Sequence, residues 1–159
     1  ENDGLILGIC NGFQALIKTG LLPYGEVRQI EATSPTLTYN NNARHIARIV
    51  QTRAVNTTSP WTRELSDSAI YKIPVSHGEG RFICSEESFA ELNANGQIAF
   101  LYEDNPNGSA YNIEGILSPC GRILGKMAHS ERIADNLYKN MPGLIPQPII
   151  KSGVNYFKK

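Results

Sequence analysis

The stretch "GLILGICNGFQAL", Gly4 to Leu16, constrains the fold of this chain more than any other. Leu5 to Ile9 is a short continuous apolar run, the pattern of a strand covered on both faces. Gly12 to Thr19 then carries Phe13, Leu16 and Ile17 at helical spacing. Gly20 offers a C-terminal cap, and Pro23 blocks continuation. The chain therefore opens as strand, sharp turn and helix.

The turn reads Gly8-Ile9-Cys10-Asn11-Gly12. Glycines on either side of a cysteine, between a strand and a helix, admit a tight turn and close neighbours without a Cβ clash. Such a turn lifts the sulfur above the sheet at a helix N-terminus, where partial positive charge favours the thiolate. The same five residues also suit a small buried thiol in a packed turn. The pattern alone leaves both readings open.

The rest of the chain mixes strands and helices. "ARHIARIVQTRAV" alternates enough for one or two strands, and Ala69 to Val75 reads as another, ending at "SHGEGRFI", whose glycines mark a turn. Ser85 is placed to cap a helix over Glu86–Asn93, with acids in its first turn. Gln97 to Tyr102 is strand-like, and "EDNPNGS" is a loop. Asn112–Leu117 and Arg122–Met127 form a hairpin about "SPCGR". A last helix is expected after "AHSER", running through Lys139, ahead of a Pro/Gly-rich tail. With 159 residues this order fits one α/β domain.

Composition narrows the function. Lys+Arg and Asp+Glu both number 15, with no basic run, which argues against nucleic-acid binding. The apolar stretches are far short of a membrane span and no signal peptide is visible, so a soluble protein is expected. Three cysteines without a CxxC pair favour a reducing, cytoplasmic setting, and leave a Cys84–Cys120 disulfide open.

A cysteine nucleophile needs a base held by an orienting group. His45, in "ARHIAR", reads as an exposed strand residue. His77 and His129 each have a glutamate two residues on, Glu79 and Glu131. Residues two apart on an extended segment point the same way, so either glutamate suits holding its imidazole. The plainer reading of each pair is a solvated polar turn. His77-Gly78-Glu79 followed by Pro119-Cys120 approaches a zinc deaminase signature, but the second cysteine would fall at Ile123, so no metal site is expected. No phosphate-binding glycine loop is present, and no ATP is expected in this chain.

Three stretches taken in order, "LGICNGFQAL", "VSHGEGRF" and "NPNGSAYNIEGI…GRILGKMAHSER", resemble the glutaminase domain of phosphoribosylformylglycinamidine synthases. The elbow is shared by all triad-type glutamine amidotransferases, while the HGEG turn, the NPNGS loop and His-x-Glu-Arg narrow the resemblance to this family. It implies a class I glutamine amidotransferase fold: a flavodoxin-like open sheet with helices on both faces, here lacking its N-terminal strands. It also implies Cys10 as nucleophile, His129 as general base and acid, and Glu131 as the residue orienting His129. Asn11 N–H becomes an oxyanion donor, and Gln14 with His77, Gly78, Glu79 and Gly80 lines the glutamine site. Ammonia would pass to a synthetase domain or subunit, where ATP and Mg are expected, to aminate formylglycinamide ribonucleotide. The alternatives are a glutaminase serving another synthetase, such as a guanylate-forming one, or a non-catalytic scaffold that binds a synthetase.

Two departures accompany the resemblance. The family usually reads Pro-His-Pro-Glu-Arg where this chain has Ala128-His129-Ser130-Glu131-Arg132, so a looser histidine turn is expected. The family also has strands and a second oxyanion N–H ahead of the nucleophile strand. The chain is accordingly expected to be the C-terminal part of one amidotransferase domain, weak or inactive by itself.

Overall fold

The computed structural model describes residues 3–134 and 136–158. Its elements in chain order are β1 (Ile6–Ile9), α1 (Asn11–Lys18), α2 (Leu21–Tyr24), β2 (Thr36–Thr38), β3 (Ile46–Ala54), β4 (Ile70–His77), β5 (Arg81–Ile83), α3 (Glu86–Ala94), β6 (Ile98–Tyr102), β7 (Ile113–Leu117), β8 (Ile123–Lys126) and α4 (Ile149–Tyr156). Six strands form one sheet in the order β1-β8-β7-β6-β3-β4, and β2 pairs β5 in a separate ribbon. β1 and β8 are parallel, and the other ladders are antiparallel.

Alternation along the strands gives the sheet two apolar faces. Ile116 and Ile123 pack with Phe13, Ile17 and Leu92, beneath α1 and α3. Their neighbours Leu117 and Leu124 point the other way, toward Trp61, Phe100 and Ile149 of α4. Each large side chain buried in these layers contributes about 1.5–3 kcal/mol. Helices therefore cover both faces of an open sheet, as the resemblance implied. The sheet curls so that β4, at one edge, meets the end of β1 at the other: Cys10 Sγ lies 3.8 Å from the carbonyl of Ser76.

The opening strand–turn–helix forms as expected, with Gly20 left-handed just beyond α1. Ser85 caps α3 by accepting the Ser88 N–H at 3.1 Å. The hairpin about Gly121 pairs β7 with β8. "ARHIARIVQTRAV" makes one strand, not two.

The helix expected through Lys139 is corrected. Beyond a single 3-10 turn over Ser130–Arg132 the described residues form turns, with Asn136 left-handed at φ 63° and Leu137 exposed. The helix lies instead in the Pro/Gly-rich tail. Pro148 stands ahead of its first turn, where no N–H is required, and its carbonyl accepts from Ser152 at 2.9 Å. Gly153 lets α4 approach Trp61 closely, since a Cβ there would sit 2.5 Å from the indole. Cys84 and Cys120 are free thiols.

Candidate active site

Cys10 joins β1 to α1 with φ 54° and ψ −106°, a sparsely populated backbone for a residue bearing a side chain. Close packing holds it there. A Cβ on Gly8 would stand 2.7 Å from the Gly12 backbone and 2.6 Å from Leu16, whereas a Cβ on Gly12 meets nothing within 4 Å. Gly8 is thus a packing requirement and Gly12 leaves the helix start open. The Cys10 N–H donates to Lys126 O at 2.8 Å, and the Cys10 carbonyl accepts from Gln14 N–H at 3.2 Å.

The thiol is half-buried at the head of α1, with the Asn11 N–H directed at it. The helix start does not produce a resting thiolate. Burial pushes the Cys10 thiol up, outweighing the lowering by the Asn11 N–H and Arg132, while Glu131 adds a smaller upward push. A thiol in this state needs a base to remove its proton.

His129 lies on the turn that follows β8. Its backbone N–H donates to Pro74 O at 2.8 Å. Its Nδ1 lies 2.5 Å from Glu131 Oε1, and its Nε2 is buried without a partner. A carboxylate on Nδ1 fixes the tautomer in which Nε2 carries the free lone pair. Pro74 and Ser76 offer their carbonyls from the same edge of β4, one to His129 and the other to Cys10. The Cys10 thiol and the His129 backbone are thus tied to one strand edge at positions two residues apart. Proline suits this edge because no N–H is called for.

The HGEG turn closes over α1, where the Gln14 amide donates to Glu79 O. His77 is buried inside the turn, Glu79 is exposed, and Gly80 packs so tightly on the His77 ring that a Cβ would stand 2.4 Å from it. His77 Nδ1 lies 3.1 Å from Asn40 Oδ1, and Asn40 Nδ2 donates to the His77 and Arg44 carbonyls, each at 2.8 Å. The NPNGS loop buttresses this arrangement. Asn107 reaches Asn40 Oδ1 at 3.4 Å, and Ser109 Oγ accepts from Phe82 N–H at 3.1 Å. Burial, with the charges of His45 and His129 beside it, pushes His77 down to about 4. His77 is therefore neutral near pH 7. His45 is exposed at the foot of β3, with its Nε2 3.1 Å from Ser76 Oγ.

Residues 1–158 match the CobB/CobQ-like glutamine amidotransferase domain family. The chain belongs to that family. Among solved structures it is similar to PurLQS from Thermotoga maritima at a TM-score of 0.76 and 29% identity, covering 96% of this chain and 61% of that one. It is also matched to a glutamine amidotransferase from Thermotoga maritima at a TM-score of 0.49 and 18% identity, over 96% of this chain and 55% of the other. The chain thus spans less than two thirds of either.

Within this amidotransferase domain, the residues singled out in sequence fall into two groups. Cys10, Asn11, Gln14 and Gly78 to Gly80 gather where α1 meets the end of β4. His129 and Glu131 form their own pair on the turn after β8. The expected looseness of that turn is corrected. Ala128 N–H, which a proline would lack, donates to Glu114 Oε1 at 2.7 Å, and Ser130 Oγ–H donates to Gln147 Oε1 at 2.6 Å. Sequence reasoning missed Glu114 and Lys126. Their signal was present: one acid in "IEGIL" and one base in "ILGKM", each alone in an apolar strand of the same hairpin.

Among the described residues, no group of three or more His, Cys, Asp or Glu side chains converges on a metal position, and no helix is long and apolar enough to cross a membrane.

Proposed function

We propose that this chain carries the glutaminase chemistry of a phosphoribosylformylglycinamidine synthase, through a triad of Cys10, His129 and Glu131. The single observation that carries the reading is the state of His129. Its Nδ1 is held by Glu131 while Nε2 is buried and unpartnered, on a turn whose backbone is bonded to Pro74 O, two residues from the Ser76 carbonyl that the Cys10 thiol approaches. His77 Nε2 is also buried without a partner, but its Nδ1 faces Asn40 rather than a carboxylate, so only His129 has the support a general base needs.

The steps follow from acyl transfer. His129 Nε2 takes the Cys10 proton as the sulfur attacks the side-chain amide carbon of glutamine. Asn11 N–H receives the oxyanion that forms; one such donor is typically worth about 10²–10³ in rate. The proton on His129 passes to the leaving nitrogen, and ammonia departs from the thioester. Water then loses a proton to His129 and releases glutamate, and the proton returns to the thiol. Glu131 stabilises the imidazolium at each stage. Gln14 and the HGEG turn line the glutamine site.

Ammonia is passed to a synthetase domain or subunit that holds ATP and Mg and aminates formylglycinamide ribonucleotide in the cytoplasm. The PurLQS likeness and the HGEG and NPNGS stretches support that acceptor. The test uses the intact synthetase. Glutamine should support amination in the native protein, and ammonium salts alone should support it in Cys10→Ser. A Cys10→Ser protein that still uses glutamine contradicts the proposal.

A further inference from the structure

Lys126 ends β8 and touches both halves of the site. Its carbonyl accepts the Cys10 N–H at 2.8 Å, in the parallel register that sets Lys126 opposite Ile9. Its ammonium has no exposed surface. It donates to Ala128 O at 2.7 Å and Ser130 Oγ at 2.9 Å, and pairs with Glu114 Oε1 at 3.3 Å. Three N–H bonds thus meet three acceptors. Glu114, equally buried, accepts the Ala128 N–H with the same oxygen. The residues immediately before and after His129 are therefore both held by one ion pair.

A buried ion pair is weak evidence of stability, because well-packed apolar residues often serve as well or better. Its better-attested use is to fix one arrangement among several. Here the arrangement is the His129 turn against the strand that presents the nucleophile. We propose that Lys126, charge-balanced by Glu114, is a positioning residue that sets His129 Nε2 against the Cys10 thiol. It stiffens the turn at the two places where the resembled family has prolines. The proposal rests on the Cys10-His129-Glu131 reading.

The test compares the intact native protein with Lys126→Met/Glu114→Gln, which removes both charges and keeps an acceptor for Ala128 N–H. Three quantities are read: melting temperature, kcat and KM for glutamine, and the rate at which a glutamine-analogue diazoketone labels Cys10. The expected result is a folded variant with KM within about twofold, and kcat and labelling slower by about 10–100-fold, the scale of an ångström-level misplacement. Native kcat and labelling rates in the folded double variant overturn the proposal. So does a loss of activity that follows only the unfolded fraction. Should the double variant not fold, Ser130→Ala carries the same test: kcat reduced several-fold at unchanged KM supports the proposal, and native kcat overturns it. Absence of Cys10 labelling in the native protein is a different failure, since it removes the triad reading and this proposal together.

Discussion

Glu131 Oε1 lies 2.5 Å from His129 Nδ1, two residues back on the same turn. The carboxylate is part-exposed while the imidazole is buried, so the acid reaches inward from solvent to the ring. Replacing Glu131 by Gln keeps a hydrogen-bonding group there and removes the charge that favours the imidazolium. Glutamine hydrolysis should lose about 10²-fold or more in kcat with KM little changed, the scale of a general base deprived of its support. Steady-state kinetics of Glu131→Gln checks this.

Cys10 alkylation reports the thiol directly. Burial raises the thiol and Arg132 partly offsets it, so iodoacetamide should react with an inflection above the ordinary cysteine range. Arg132→Gln removes a positive charge that favours the thiolate and should move the inflection higher. Glu131→Gln removes a negative charge and should move it lower. Opposite signs from neighbouring residues distinguish this from a general loss of structure.

His77 ties stability to pH. Its folded value of about 4 lies below the unfolded value of about 6.5. The unfolded chain therefore binds more protons between these limits, and the stability His77 contributes is present above pH 6.5 and lost as pH falls toward 4. The loss is about 3 kcal/mol at most. Denaturant unfolding at pH 7 and pH 4.5 should show a smaller difference for His77→Gln than for the native protein.

The two glycines of the elbow should separate by stability. Gly8→Ala forces a Cβ into the Gly12 backbone and should cost about 1–3 kcal/mol. Gly12→Ala meets open space at the start of α1 and should be neutral or stabilising by up to about 1 kcal/mol. Thermal unfolding of the two variants checks the contrast.

The elbow and the β7–β8 hairpin were legible because local pattern decides them: an apolar run, a glycine-flanked cysteine, a turn between paired strands. Spacing offered the His129–Glu131 pair beside a second one, His77–Glu79, and the resemblance chose between them. What spacing does not carry is long-range partnership. Asn40 reaches His77 and Asn107 from far along the chain. Trp61 anchors α4 by donating to Arg122 O at 2.8 Å, and Gln147, in a segment read as tail, takes the Ser130 hydroxyl. α4 itself was hidden because proline and glycine, which break helices in their interiors, stand where one lies ahead of the first turn and the other meets an indole.

The most direct measurement is mass mapping of the intact protein after reaction with a glutamine-analogue diazoketone. One adduct is expected, on the peptide carrying Cys10. It should be suppressed by glutamine, absent in Cys10→Ser, and slowed at least tenfold in His129→Ala, a conservative bound for a missing general base. Labelling elsewhere, or labelling of Cys10 at the native rate in His129→Ala, would contradict the triad.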